Sequence, residues 1–169
     1  NALDPTMVFP SNTEGSISRV LNNGTTNTAS IANGTVLGAA GSPARIEFYP
    51  PVVSNGVDAR LYSGGSRLFI CSDCNDPAKE LGTANEPTWT APGGATDLTA
   101  GGNDVLTSIA VAKSDTNVIY TGSRDGAAMR STDNGATWTN ITAGLPTRTI
   151  TNITVSVTDP TRVYATVSG

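Results

Sequence analysis

The feature that most constrains this chain is that it repeats itself. Ser108-Ile109-Ala110-Val111-Ala112 alternates as a strand does, Ser114-Asp115-Thr116-Asn117 turns, and Val118-Ile119-Tyr120-Thr121 resumes. Asn152 to Val157, the turn Thr158-Asp159-Pro160-Thr161, and Arg162-Val163-Tyr164-Ala165 follow the same plan. An earlier copy runs through Arg45-Ile46-Glu47-Phe48-Tyr49, a longer turn at Ser54-Asn55-Gly56, and Ala59-Arg60-Leu61-Tyr62-Ser63. Helix signals are nearly absent, because Gly, Pro, Asn and β-branched residues interrupt every window in which a helical period could run. The longest helix-compatible stretch, 77–82, amounts to about one and a half turns. Such a chain is all-β.

A polar turn ending in tryptophan is copied as well. Ser131-x-Asp133-x-Gly135-x-x-Trp138 has an earlier counterpart in which Asp73 precedes Pro87-Thr88-Trp89, with about eleven residues inserted. A fainter copy lies in Arg19 to Thr26, where Asn22 replaces the Asp and Asn27 stands in the place of the Trp. A Ser or Asp side chain accepts hydrogen bonds from nearby N–H groups and locks a tight bend. Gly135 supplies the positive φ that closes it, and Trp138 covers the hairpin with an indole. Roughly fifty residues separate Trp89 from Trp138, room for about four short strands. The expected architecture is therefore a tandem series of four-stranded antiparallel sheets, as in a partial or oligomer-completed β-propeller, with a β-sandwich of the same hairpins as the alternative. The series divides into an extension at 1–16, a degenerate repeat at 17–44, a repeat with an insertion loop at 45–104, the best-formed repeat at 105–149 and a truncated one at 150–169.

Composition narrows the chemistry. Only 14% of residues are charged, the formal net charge is −4, and the lysines are Lys79 and Lys113 alone, which argues against nucleic acid or anionic membrane as a partner. No apolar run is long enough to insert in a membrane. The start at Asn1 without a leader segment suits a processed or excised segment. There is no histidine, which removes His general bases, His-containing triads and His metal ligands together. Cys71-Ser72-Asp73-Cys74 is followed by Asn75, so it is no haem-attachment motif, and zinc would need two further soft ligands. A small disulfide between Cys71 and Cys74 is the preferred reading, with a redox pair as the alternative. Asn-x-Thr sequons at Asn23, Asn33, Asn140 and Asn152 are expected in any chain this rich in Asn and Thr.

At Ser131-x-Asp133-x-Gly135-x-x-Trp138 the sequence resembles the Asp-box, or BNR repeat, of sialidase-like propellers. The lead-in Asp115-Thr116-Asn117-Val118-Ile119-Tyr120-Thr121-Gly122, running on to Asp133, is similar to repeats of xyloglucanase-type glycoside hydrolases, sortilin-type receptor ectodomains and photosystem assembly-factor propellers. The resemblance is clearest over 105–169, weaker over 45–104, faint over 17–44 and absent from 1–16. It implies that Ser131, Asp133, Gly135 and Trp138, with Asp73 and Trp89 in the earlier copy, are structural and lie away from any active site. The last repeat stops before its own Asp-box, and propellers need about four blades or more. That implies either a portion of a longer protein or copies that complete one another.

No catalytic set emerges. Arg45-Ile46-Glu47 begins like a sialidase motif, but Glu stands where Pro is required. The arginines at 19, 45, 60, 67, 124, 130, 148 and 162 read as solvated or strand-flanking. A glycosidase needs two facing carboxylates, and Glu47, Asp58, Asp97, Asp104 and Asp125 are the acids left over from turns, with no pair distinguished by spacing. Asp73, Asn75, Asp76 and Glu80 could gather around calcium, but a surface loop is the better reading. The sequence therefore points to a secreted or cell-surface module that binds, scaffolds or assembles, without catalytic residues, cofactor or metal. Its expected partners are a protein, or a further copy through open strand edges, and carbohydrate. A portion of a xyloglucanase-like enzyme is the alternative.

Overall fold

The computed structural model describes residues 4, 6–21, 26–33, 37, 49–101 and 104–169. Strands β1 (Ile17–Leu21) and β2 (Thr26–Ala32) pair antiparallel, and Val8 and Ser11 add single bridges to β1, so part of the expected extension joins the first sheet. Two four-stranded antiparallel meanders follow. The first is β3 (Val52–Ser54), β4 (Leu61–Gly64), β5 (Leu68–Cys71) and β6 (Trp89–Thr90), and the second is β7 (Leu106–Val111), β8 (Ile119–Ser123), β9 (Ala128–Ser131) and β10 (Thr139–Asn140). A two-stranded sheet, β11 (Ile150–Val155) and β12 (Val163–Val167), ends the chain. The fold is all-β, its strands form open sheets, and no closed barrel forms among the described residues.

The sheets stack in chain order with apolar layers between them. Ile17, Ile31 and Leu37 meet Leu61, Phe69 and Cys71 in the first layer. In the second, Tyr62, Leu68 and Ile70 meet Leu106, Ile109, Val111 and Ile119. Ala110, Ala112, Val118, Tyr120 and Ala128 meet Ile150 and Ile153 in the third. Strand alternation explains the arrangement, since neighbouring residues of β7 and β8 serve opposite layers. At Gly122 the third layer is at its tightest: an added Cβ would come within 2.9 Å of Ile150 Cβ, so only glycine lets β11 approach.

The repeat is visible in register. Val53 pairs with Tyr62, Ala110 with Tyr120 and Thr154 with Tyr164, and the irregularity between Leu106 and Ser108 recurs between Ile150 and Asn152. One expectation shifts. The strand partner of β4 is Val52–Ser54, nearer the turn than the Arg45–Tyr49 strand, whose residues 45–48 lie outside the described residues. Pairing begins after Pro50-Pro51, which have no N–H to donate. Asn55 Oδ1 then accepts from Val57 N at 2.9 Å and Asp58 N at 3.2 Å, closing the turn where the strand ends.

Candidate functional site

The tryptophan turns are the best-defined polar constellations in the molecule. In the later one Ser131, buried, donates its hydroxyl to Asp133 Oδ1 at 2.7 Å and accepts from Gly135 N at 2.8 Å. Asp133 accepts from Thr137 twice, N–H to Oδ1 at 2.8 Å and hydroxyl to Oδ2 at 2.6 Å. Thr137's hydroxyl, then its N–H, and then the Ser131 hydroxyl hold the Asp133 carboxyl down to a pKa of about 2. Asn134 (φ 58) and Gly135 (φ 85) turn the chain through the left-handed region. Trp138, half-buried, donates Nε1–H to Gly135 O at 2.9 Å. Asn134 N donates to Asn117 O at 2.9 Å, and Arg60 Nη1 donates to Asn134 Oδ1 at 2.6 Å, so the turn is also tied to its own β7–β8 connection and to the preceding sheet.

The earlier turn keeps the carboxylate chemistry across its insertion. Thr88 donates its N–H to Asp73 Oδ1 at 2.7 Å and its hydroxyl to Asp73 Oδ2 at 2.8 Å, although fifteen residues rather than four separate acid from threonine. Burial pushes the Asp73 carboxyl up, but Thr88 and the Lys79 ammonium outweigh it and hold the pKa below the usual range. Cys71 pairs with Leu61 as Ser131 pairs with Ile119, so a half-cystine occupies the serine's place, bonded to Cys74. Both cysteines are buried. Trp89 donates Nε1–H across to Ile31 O of the first sheet at 2.7 Å, whereas Trp138 bonds its own turn. The faint third copy is outside this comparison, because residues 22–25 lie outside the described residues.

The insertion is anchored from behind by a residue whose role the sequence reading missed. Arg19, on β1, is 1% exposed rather than solvated, and its guanidinium donates to Cys74 O at 3.0 Å, Pro77 O at 3.1 Å and Lys79 O at 2.8 Å. Arg67 is also buried. The only sequence signal was Arg19's alignment with Arg130, a half-buried residue 6.0 Å from the Tyr120 ring. Nothing in that alignment distinguishes the buried arginine from the half-buried one.

One cleft of about 220 Å³ opens where the first strands of three sheets converge. Val53 and Asn55 of the β3 segment, Ile109, Val111 and Lys113 of the β7 segment, and Val155 with Val157 of the β11 segment line it. Its walls are mostly aliphatic, and none of its lining residues is an acid.

The candidate acids are elsewhere. Asp58 is bonded to Arg60 and Asn55, and burial, which raises its pKa, is outweighed by Arg60. Asp97 accepts from the N–H and hydroxyl of Thr99. Asp104 accepts from Val105 N and lies 3.7 Å from Arg124. Asp125 accepts from Ser123, Ala100 N and Gly101 N, which overcome the effect of burial and lower its pKa. Glu47 lies outside the described residues. In the loop considered for calcium, Asp73 is engaged with Thr88 and Asp76 caps Ala78 N. Among the described residues no group of three or more His, Cys, Asp or Glu could hold a metal ion, and no helix is long and apolar enough to cross a membrane. Compared with known proteins, the chain matches no protein-family model and no curated protein sequence.

Proposed function

We propose that this chain is an Asp-box module of an exported protein and that it acts in binding, scaffolding or assembly rather than in catalysis. The observation that carries this reading is the allocation of its carboxylates. Asp58, Asp73, Asp97, Asp125, Asp133 and Asp159 each accept hydrogen bonds that close or anchor a turn. The shared cleft has no acid in its lining to work as a proton donor or nucleophile. The paired bonds of Asp133 to Thr137 and Asp73 to Thr88 support the Asp-box reading, because one side-chain clamp recurs behind two tryptophans. The buried Cys71–Cys74 disulfide suits an oxidising, extracellular compartment.

Hydrolysis assays on xyloglucan-like and sialylated substrates test it. No turnover above a heat-denatured control is expected. Turnover that disappears when Asp58, Asp104 or Asp125 is replaced by Asn, in a variant that stays folded, would overturn the reading in favour of a carbohydrate-active enzyme.

A further inference from the structure

The interface between the second meander and the last sheet is built from groups that recur, exposed, on the last sheet's far side. Tyr120 is 2% exposed and donates its hydroxyl to Pro160 O, in the β11–β12 turn, at 3.0 Å. Thr107 Oγ1 donates to Ile150 O of β11 at 2.5 Å, with Gly122 O of its own sheet 3.2 Å away. Ser108 Oγ accepts from Ile153 N at 2.9 Å. These groups recognise backbone: a carbonyl and an N–H on a strand edge, and a carbonyl in the turn that follows.

The repeated register puts Tyr164 in the place of Tyr120, Thr151 in that of Thr107 and Asn152 in that of Ser108. Thr151 Oγ1 lies 3.1 Å from Thr166 O, as Thr107 Oγ1 does from Gly122 O, and its second partner is Thr166 Oγ1 at 2.8 Å in its own sheet, where Thr107 reaches Ile150 O of the sheet that follows. Tyr62 and Tyr120 are both buried by the sheet that follows, while Tyr164 is 62% exposed. Asn152 is exposed, with Oδ1 turned back to within 3.5 Å of Ser108 Oγ. The face therefore repeats the one that the second meander turns to the last sheet; the first meander buries Tyr62 in the same way, but with no hydrogen-bond partner for its hydroxyl among the described residues.

We infer that the outer face of β11–β12 is a docking site for a β-hairpin of this same kind, one whose first strand offers an unpaired carbonyl and N–H and whose turn offers a carbonyl to the Tyr164 hydroxyl. The recognition is of main-chain groups, with apolar branched residues of the incoming strand seated around the tyrosine ring as Ile150 and Ile153 are around Tyr120. One position sets a size limit. Where Gly64 and Gly122 let Leu106 and Ile150 approach, this face carries Thr166, so the incoming hairpin must present glycine there. A second copy of the chain fits less well, because the edge of its first hairpin is already occupied by the Val8–Val20 bonds and by Ser18 N to Pro10 O.

This deepens the assembly reading and rests on it, and the test reads binding rather than hydrolysis, so either can fail alone. The probe is a cyclised peptide of residues 149–169 carrying Ile150→Gly to respect the Thr166 limit, since an uncyclised hairpin is only marginally stable. It is titrated into the full chain, followed by amide chemical shifts. Shifts at Thr151, Tyr164 and Thr166 are expected, with Kd weakened at least about tenfold by Tyr164→Ala and only a few-fold by Tyr164→Phe, which keeps the ring and loses one hydrogen bond. Tyr164 is exposed, so neither variant threatens folding. Absence of shifts up to the peptide's solubility, shifts confined to other sheets, or self-association of the chain through this face without peptide would each overturn the assignment.

Discussion

The two tryptophan turns solve one problem with different parts. Both use an aspartate to bond the N–H and hydroxyl of a following threonine, and both set an indole behind it. The later turn closes mainly on itself: Ser131, Gly135 and Trp138 bond within the turn, and only Asn134 reaches outside it, to Asn117 and Arg60. The earlier one carries the Cys71–Cys74 bond at its base and is held from outside by the Arg19 guanidinium and a Trp89 bond to the first sheet. A short loop can be closed by local hydrogen bonds. A long one must lose more conformational entropy, and the extra constraint comes from covalent and tertiary contacts.

The two turns should differ most in their arginines. Arg19→Ala leaves three carbonyls without their charged donor and should cost about 3 kcal/mol in urea unfolding. Arg130→Ala removes a half-buried ring contact and should cost about 1 kcal/mol or less. Equal losses at the two sites would show that the insertion is not held as described.

Next is the disulfide. Replacing Cys71 and Cys74 by Ala opens a very short loop and should lower stability by about 2 kcal/mol. Because both sulfurs are buried, reductant should act on the native protein only as fast as it opens. Rapid reduction of the folded chain at mild potential would instead favour the redox reading of the pair.

A smaller effect separates the turn backbones. Gly135→Ala forces a side chain into φ 85 and brings a Cβ to 3.1 Å from Leu68 Cδ2, for a loss of about 1–2 kcal/mol. Asn75, the residue two after Asp73 as Gly135 is two after Asp133, has no positive φ, so Asn75→Ala should stay within about 0.5 kcal/mol of wild type. Thermal unfolding of the two variants distinguishes them.

The finest difference is in acid. Asp133's folded pKa lies below its ordinary value, so its contribution is fully present above pH 3.8 and is lost as pH falls through about 2. Asp73 is lowered too and loses its contribution in the same direction. Hydrogen exchange at the Thr137 amide should stay slow down to about pH 2 in wild type, and the acid-induced loss should vanish in Asp133→Asn. An unchanged acid limb in that variant would remove the carboxylate from the account of the turn.

Much of the architecture was legible. Alternation over Ser108–Ala112 and Asn152–Val157 corresponds to β7 and β11, and the tyrosines marked equivalent strand positions, because these patterns depend on near neighbours. The strand at Val52–Ser54 was hidden by its shortness and by Pro50-Pro51, which mark a boundary without saying on which side pairing resumes. Of the candidate site, the clamps at Asp133 and Asp73 could be anticipated from composition and order. The cleft could not, since Val53, Val111 and Val155 look like any strand valines until three sheets meet.

By itself the sequence determined the unit: a meander of short strands, a carboxylate-locked turn and a tryptophan, all set by interactions between residues a few positions apart. Tertiary structure alone decided that Arg19 is buried against a loop near Pro77, that Tyr120 is covered while Tyr164 is open, and that three first strands share a cleft. The physical reason is range. Hydrogen bonding and alternation are fixed along the chain, whereas burial depends on which sheet comes to lie against which face.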